Sequence, residues 1–536
     1  MKSKLIISRI KLLGIAAALL LGSCTKKFND YNTNPVNATD EMMEFDYLST
    51  GVYFPQMQLN IFPIAQQPNF GDEVYQVMQN LAGDVYSGYM GASNNWYGNS
   101  NNTTYSMIPD WYNAAFARAY LSVMPAWLAI RKKSEFENPH VYGLAQILKA
   151  VSLHRTTDMY GPLPVASFGS GGLANEYDAQ EVVYDSLFSA LNYGINTLTN
   201  YINLYPGQRP MAKYDLIYGG DYEKWVKLAN SLKLRLALRI VNANESKART
   251  MAEEAVNHSI GVMTSNSDNA VLANGNGATF NNPLYIICYN FDDVRMGANM
   301  ESYLTGYNDP RLPFMFNKAP DGNYHGIRNG INIANKAAYT TPFSTLNVSA
   351  TTPIRWMSAA EMYFLRAEGA VRGWNMNGTA GSLYATGIQT SFDQWGAGNA
   401  NAYINDNSSI PAPYTDIAAS GNSVAAGSPL LASTTIAWDD AASNSVKLEK
   451  IITQKWIAVY PDGQEAWSEF RRSGLPKIFP VVLNRSGGVI PSESGIRRLP
   501  FPQTEYQSNA AGVATGVSKL GGPDNGNTML WWDRTP

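Results

Sequence analysis

The stretch Tyr89-Met90-Gly91-Ala92-Ser93-Asn94-Asn95-Trp96-Tyr97-Gly98-Asn99-Ser100-Asn101-Asn102 interleaves rings, carboxamides and glycines. Rings stack on the apolar faces of sugar units, and carboxamides offer paired donors and acceptors to hydroxyl groups. Glycines let a ligand approach the backbone closely. The chemistry that fits is capture of an uncharged, hydroxyl-rich ligand, with Tyr89, Asn94, Asn95, Trp96, Tyr97 and Asn101 as candidate contacts. An ordinary loop packed by its own aromatics is the competing reading. Tyr285, Tyr289, Asp292, Arg295 and Tyr324 form a second candidate ligand group, with burial in a loop-rich cap as the alternative.

Residues for catalysis are poorly placed. The four histidines, His140, His154, His258 and His325, show no metal-ligand spacing, and no His-Glu-x-x-His occurs. No metal or cofactor is expected, and no Asp-rich calcium loop is seen. The run from His154 to Pro162 reads as a helix end fixed by His154 and Asp158. Gly-x-Ser-x-Gly and Walker motifs are missing, and Phe168-Gly169-Ser170-Gly171-Gly172 lacks the lysine of a phosphate loop. Glu361 with Glu368, and Glu465 with Glu469, share helical faces. A glycosidase needs two carboxylates converging across a cleft; structural ion pairs with nearby arginines are the simpler expectation.

The elements that must carry these residues are mostly helical. Apolar positions at threes and fours predict helices over Trp111–Lys132 (bent at Pro125), Val141–Thr156, Val182–Leu198, Asp221–Val241, Arg249–Ser259, Met357–Arg372 and Leu448–Tyr460, running on toward Arg472. Their pairing at intervals of roughly thirty to forty residues suggests stacked helical hairpins. Between them lie Gly88–Pro109, Pro162–Gly172, Asn266–Arg355 and Gly373–Trp438, read as long loops rich in Gly, Asn, Ser, Pro and rings. Loops of that length carry function or are disordered, and their rings argue against disorder, with Gly421–Pro429 the kind of stretch where mobility stays open.

The N-terminus adds an address. Lys2, Lys4, Arg9 and Lys11 precede an apolar run from Leu12 to Leu21, and Leu21-Gly22-Ser23-Cys24 follows. This is a secretory signal, too short to span a membrane and stay. It resembles a bacterial lipobox, with Cys24 acylated as the first mature residue. Removing residues 1–23 takes away four positive charges and moves the formal net charge from -3 to -7. Residues 24–40 read as a lipidated tether and 41–536 as one helical domain, with loop-rich insertions near 266–355 and 373–438. Charged residues are only 15% of the chain, against about 25% in an average soluble domain. The 32 Tyr, 19 Phe and 12 Trp speak against disorder, and the missing basic stripe speaks against nucleic acid. Cys288, the other cysteine, reads as a small buried hydrophobe.

Four motifs in order resemble the SusD/RagB family of outer-membrane lipoproteins, in particular its SusD-like subgroup. They are the mature start Cys24 to Pro35, Ala150 through Tyr160-Gly161-Pro162-Leu163-Pro164, Arg355 through Glu361 to Arg366-Ala367-Glu368, and Arg497-Arg498-Leu499-Pro500-Phe501-Pro502-Gln503-Thr504-Glu505. The resemblance implies a mainly α fold, a body of tetratricopeptide-like helical hairpins under an irregular, loop-rich, ligand-facing cap. It implies a non-catalytic cell-surface lipoprotein that captures an oligosaccharide, or in some members a peptide. It also implies a partner, a SusC-like TonB-dependent outer-membrane channel, to which the ligand is delivered. Glu361, Arg366, Glu368, Arg498 and Glu505 fall on scaffold positions by that resemblance. Trp96 and Asn101 lie where the starch-binding member places part of its site, and 373–438 has no counterpart. A secreted glycoside hydrolase and a purely structural surface protein are the readings to be weighed against it.

Overall fold

The computed structural model describes residues 45–64, 72–172, 174–275 and 277–533. The signal peptide, Cys24 and the tether lie outside the described residues. The chain divides at Ser49. Of the N-terminal unit only residues 45–49 are described, and they form a helical turn.

The body is built from helices α1 (Tyr53–Ile61), α2 (Pro109–Arg118), α3 (Met124–Ser134), α4 (Pro139–Tyr160), α5 (Gln180–Leu204), α6 (Tyr222–Arg239), α7 (Glu245–Val256), α8 (Ala298–Gly306), α9 (Ala359–Val371), α10 (Ala380–Trp395), α11 (Asn444–Val459) and α12 (Gly463–Ser473). The consecutive pairs α4–α5, α6–α7 and α9–α10 pack along one another; α5 also lies against α6, and α9 against α11. Helical hairpins are therefore the unit of construction, as the sequence periodicity predicts. Two small antiparallel sheets join distant loops. β1 (Met90–Ala92) pairs with β3 (Val294–Met296), and β2 (Ala270–Leu272) pairs with β4 (Ile354–Met357).

Local sequence explains the helix limits. In α6 the Asp221 side chain accepts from the Lys224 N–H at 3.2 Å, capping one orphan donor. Trp225, Ala229, Leu232, Leu236 and Ile240 then fill its buried face. α4 opens on Pro139 and stops at Gly161, whose φ of 87° suits a residue without a Cβ. The predicted helix from Trp111 to Lys132 is two helices, because a π-helical turn over Ala119–Val123 shifts the register just before Pro125.

Helix α10 corrects the expectation of an unbroken loop from 373 to 438. Gly381 and Gly387 make its sequence read as loop. In the fold, a Cβ on Gly387 would sit 2.9 Å from the Phe364 ring of α9. The glycine is there so that the two helices can approach. The 266–355 segment likewise contains α8 and three of the four strands, β2, β3 and the start of β4.

The hairpins are tied by a buried ionic network. Arg235 Nε and Nη2 grip Glu361 at 2.8 and 2.5 Å. Arg239 Nη2 donates to Glu465 at 2.6 Å, and Lys455 Nζ reaches Glu465 at 3.0 Å and Glu469 at 2.7 Å. Arg472 forks onto Glu368 with two bonds of 2.7 Å. Burial alone would raise the Glu469 carboxyl, but Arg472, Lys455 and Arg239 hold it down at about 2. Both carboxylate pairs noted in the sequence are thus locked into the scaffold. Arg366 donates to the Met376 and Asn377 carbonyls at 3.0 Å each, and Arg498 to the Tyr160 carbonyl at 3.0 and 2.9 Å. Glu505 accepts from the Tyr177 hydroxyl at 2.9 Å. Asp158 accepts from Tyr184 at 2.5 Å and from the Trp532 indole at 3.0 Å, which fixes the end of α4.

Candidate functional site

The β1–β3 ladder places two loops side by side that are two hundred residues apart in sequence. Met90 pairs with Met296 and Ala92 with Val294. Beyond the ladder, Ser93 N donates to the Asp293 carbonyl at 3.1 Å and Asn94 Nδ2 to Asp293 Oδ1 at 2.9 Å. Asp293 also accepts from Gln76 at 2.9 Å and Lys336 at 2.6 Å. Asn94 is therefore a fastener between the loops.

Tyr89 and Asn101 do not face a ligand. Tyr89 is fully buried; its ring packs 5.1 Å from Trp456 and its hydroxyl donates to the Trp456 carbonyl. Asn101 is 1% exposed. Its Oδ1 accepts from Thr103 N at 3.0 Å and its Nδ2 donates to the Trp96 carbonyl at 3.0 Å, which closes the loop on itself. Asn99 does similar work, exchanging bonds of 3.1 Å with the Ile333 backbone. A carboxamide satisfies loop backbone as readily as it meets a hydroxyl, so these residues serve the loop. The side chain of Asn95 is partly exposed and makes no hydrogen bond among the described residues.

The loop so fixed presents rings. Tyr97, Gly98 and Asn99 lie in succession at φ of 52°, 62° and 65°. A left-handed tyrosine is disfavoured by about 1 kcal/mol or more, so the surroundings must hold it there. The result is a Tyr97 ring that is 68% exposed. Trp96 stands edge-on to Trp111, with centroids 5.7 Å apart and planes at 90°. Tyr97 lies 6.2 Å from the same Trp111 ring at 57°. Trp111, in the first turn of α2, joins the two loop rings into one platform. The sequence offers one sign of this: Trp111 stands outside the run Phe116, Tyr120, Val123, Trp127 and Ile130 that makes the buried stripe of its own segment.

The second group is divided. The Tyr285 and Tyr289 rings pack tilted at 38° with centroids 5.2 Å apart, and Tyr289 is 40% exposed. The Tyr289 hydroxyl donates to the Leu346 carbonyl at 2.6 Å and accepts from Asn317 at 3.0 Å. Arg295 is buried, donating to the Thr340 and Val294 carbonyls at 2.9 and 2.8 Å and to the Asp292 carboxylate. Asp292, at φ 59°, is held in its turn by that bond. Arg295 and Asp292 therefore shape the loop. Tyr324 lies under Lys318 on a separate turn, and no ring contact joins it to either group among the described residues. Cys288 is buried, and burial pushes its thiol above the ordinary range.

Among the described residues, no group of three or more His, Cys, Asp or Glu could hold a metal ion, and no helix is long and apolar enough to cross a membrane.

Comparison with known proteins fits this architecture. A family model described as "SusD-like: Susd and RagB outer membrane lipoprotein" matches residues 30–533. Among solved structures, a chitin-binding SusD homolog from Flavobacterium johnsoniae is 43% identical, with a TM-score of 0.86, covering 91% of this chain and 99% of its own. A SusD homolog from Bacteroides uniformis is 38% identical, with a TM-score of 0.84 and the same coverages. One from Bacteroides vulgatus is 34% identical, also with a TM-score of 0.84 and coverages of 91% and 99%. Among curated proteins nothing matches.

Proposed function

The chain belongs to the SusD-like family of outer-membrane lipoproteins, and from that premise we propose that it captures an oligosaccharide on the platform of Trp96, Tyr97 and Trp111. The captured glycan passes intact to a SusC-like TonB-dependent channel, beside which the protein is tethered through a lipid on Cys24. The family is non-catalytic and sits at the outer-membrane surface. The observation that carries the ligand reading is the set of three rings, Tyr97 exposed and Trp96 and Trp111 half-buried, gathered by a strained loop and a helix start. Sugar C–H faces pack on such rings, and Asn95, the chain neighbour of Trp96, has a partly exposed carboxamide that could meet hydroxyls.

The ring planes differ by 90° and 57°, which suits a chain whose successive units turn, better than a single flat ligand. A 43% identical relative is described as chitin-binding, so chito-oligosaccharides are the first ligands to try. Hydrolysis finds no support: Glu361, Glu368, Glu465 and Glu469 are each buried against arginine or lysine and cannot reach a substrate.

The test is calorimetric titration with neutral oligosaccharides, paired with a pull-down from outer membranes in mild detergent. Binding that Trp96→Ala weakens roughly tenfold, together with co-purification of a large barrel, is the expected result. Unchanged affinity in Trp96→Ala, or shortened oligosaccharide in the cell, overturns it. Tight binding of peptides with none of glycans assigns the platform to the other cargo the family takes.

A further inference from the structure

One end of the helical body holds large apolar side chains in solvent. Phe136, in the short connection from α3 to α4, is 91% exposed, more than any other large hydrophobic among the described residues. Helix α5 ends on Leu204, 71% exposed, and the turn that follows opens with Tyr205, 54% exposed, and exposed Pro206 and Gly207. Ring contacts bring these two turns together. His140, in the first turn of α4, stacks on Tyr201, in the last turn of α5, with centroids 4.3 Å apart. Tyr201 in turn lies 5.0 Å from Tyr205. Single apolar side chains on a surface are ordinary, but three of this size on adjoining turns mark a place of contact.

The chain enters the body at the same end. Just after Thr50, Gly51 lies so close to the Tyr214 ring that a Cβ there would overlap it. Tyr214 belongs to the connection from α5 to α6, and Tyr222, which opens α6, packs 5.4 Å from Tyr201. The segment that runs back to Cys24 therefore joins the body beside the Phe136 and Tyr205 turns. Charge at this end runs against that of the chain as a whole. Segments 131–140 and 201–214 hold five cations, Arg131, Lys132, Lys133, Arg209 and Lys213, and only two carboxylates. Arg131 and Arg209 are taken by Glu135 and Asp221 at 3.0 and 3.1 Å. Lys132 and Lys133 are exposed and make no ion pair among the described residues. Exposed rings and leucine flanked by lysines, at the point where a lipid tether enters, fit a membrane interface. Rings settle at head-group level there, and lysine stems carry their charge to the phosphates.

We propose that this end of the body rests on an anionic lipid surface, with Phe136, Leu204 and Tyr205 set among the head groups and Lys132 and Lys133 on their phosphates. The tether supplies proximity, because it turns a weak contact into an intramolecular one. The contact supplies orientation, because a body held at a second place does not tumble on its tether. This rests on the reading of the chain as a lipid-tethered outer-membrane protein, and adds the surface that sets which end faces the membrane.

The test is co-sedimentation of the mature chain carrying Cys24→Ser, which removes the acyl group and leaves the surface, with vesicles of phosphatidylethanolamine and phosphatidylglycerol. Binding that salt weakens is the expected result. Phe136→Ser should lower the affinity about tenfold. Lys132→Gln combined with Lys133→Gln should lower it several-fold and flatten the salt dependence, and none of these exposed positions should change the melting temperature. No binding by the Cys24→Ser chain, or binding that Phe136→Ser leaves unchanged, overturns the proposal. Mass spectrometry of the native protein reads the premise separately: a Cys24 without acyl chains overturns the tethered reading on which the proposal rests. In the acylated protein, a dye attached through Phe136→Cys should be quenched by brominated lipid, since Cys288 is buried and Cys24 is blocked. Shielding of that dye by a co-purified barrel in place of lipid assigns this end to the channel and overturns the proposal.

Discussion

Trp111→Ala separates a working platform from three rings that merely pack together. Trp111 contacts both loop rings, Trp96 at 5.7 Å and Tyr97 at 6.2 Å. Each aromatic pair contributes about 0.5–1.5 kcal/mol beyond its area. Removing the shared partner therefore withdraws about 1–3 kcal/mol from a loop that already holds Tyr97 at φ 52°. That energy preorganises the rings; without it, the ligand must order them on binding. Affinity should fall by about 5- to 150-fold. The body should barely notice, because Trp111 lies at the partly exposed first turn of α2. For a body of this length, melting shifts by only about 1 °C per kcal/mol. Calorimetry with the best neutral oligosaccharide reads the first effect and scanning calorimetry the second. Trp111→Phe should recover most of the loss. Unchanged affinity in Trp111→Ala, alongside a clear loss in Trp96→Ala, refutes the coupling between the three rings.

Other expectations follow from the scaffold. Arg239→Met leaves Glu465 and Glu469 short of a cation in a buried network and should cost about 3–5 kcal/mol, seen as a fall in melting temperature with glycan affinity retained. Glu301 accepts from the Gly326 N–H at 2.5 Å and has no basic partner among the described residues. Burial, reinforced by Asp416, raises its carboxyl to about 8. The folded state then holds a proton that the unfolded chain has released, so this contribution is complete below about pH 4.5 and is lost as pH rises through 8. Glu301→Gln should flatten the decline in stability across that window and raise the melting temperature at pH 9; an unchanged pH profile would show that Glu301 is solvated. Glu469, held at about 2 by its cations, acts in the opposite sense: its contribution is present above about pH 4.5 and fades on acidification toward 2.

Helices with a continuous apolar stripe were legible in the sequence. The positions picked for α6 are all buried, because a threefold and fourfold spacing is enough to define a face. The carboxylates read as structural partners of arginine were legible too, since their charges had few other uses inside a helical body. Helix α10 was not, because glycines that permit close packing on Phe364 look like loop residues when the partner helix is unseen. The aromatic loop around Trp96 was half legible. Its rings and carboxamides stood out, but composition cannot divide those that face solvent, such as Tyr97, from those that fasten the loop, such as Asn101 and Asn94. That division depends on the β1–β3 ladder and on Asp293, about two hundred residues away. Trp111 escaped for the same reason, because its role is defined by a contact with Trp96 that helical periodicity does not encode.

The central claim is that the Trp96 platform holds a glycan without cleaving it. Equilibrium dialysis of the purified protein against a ladder of neutral oligosaccharides, read by mass spectrometry, tests it most directly. The account predicts depletion of the longer members from the free compartment, their recovery at unchanged chain length, and loss of the depletion in Trp96→Ala. Shortened products, or depletion that Trp96→Ala leaves untouched, would contradict it.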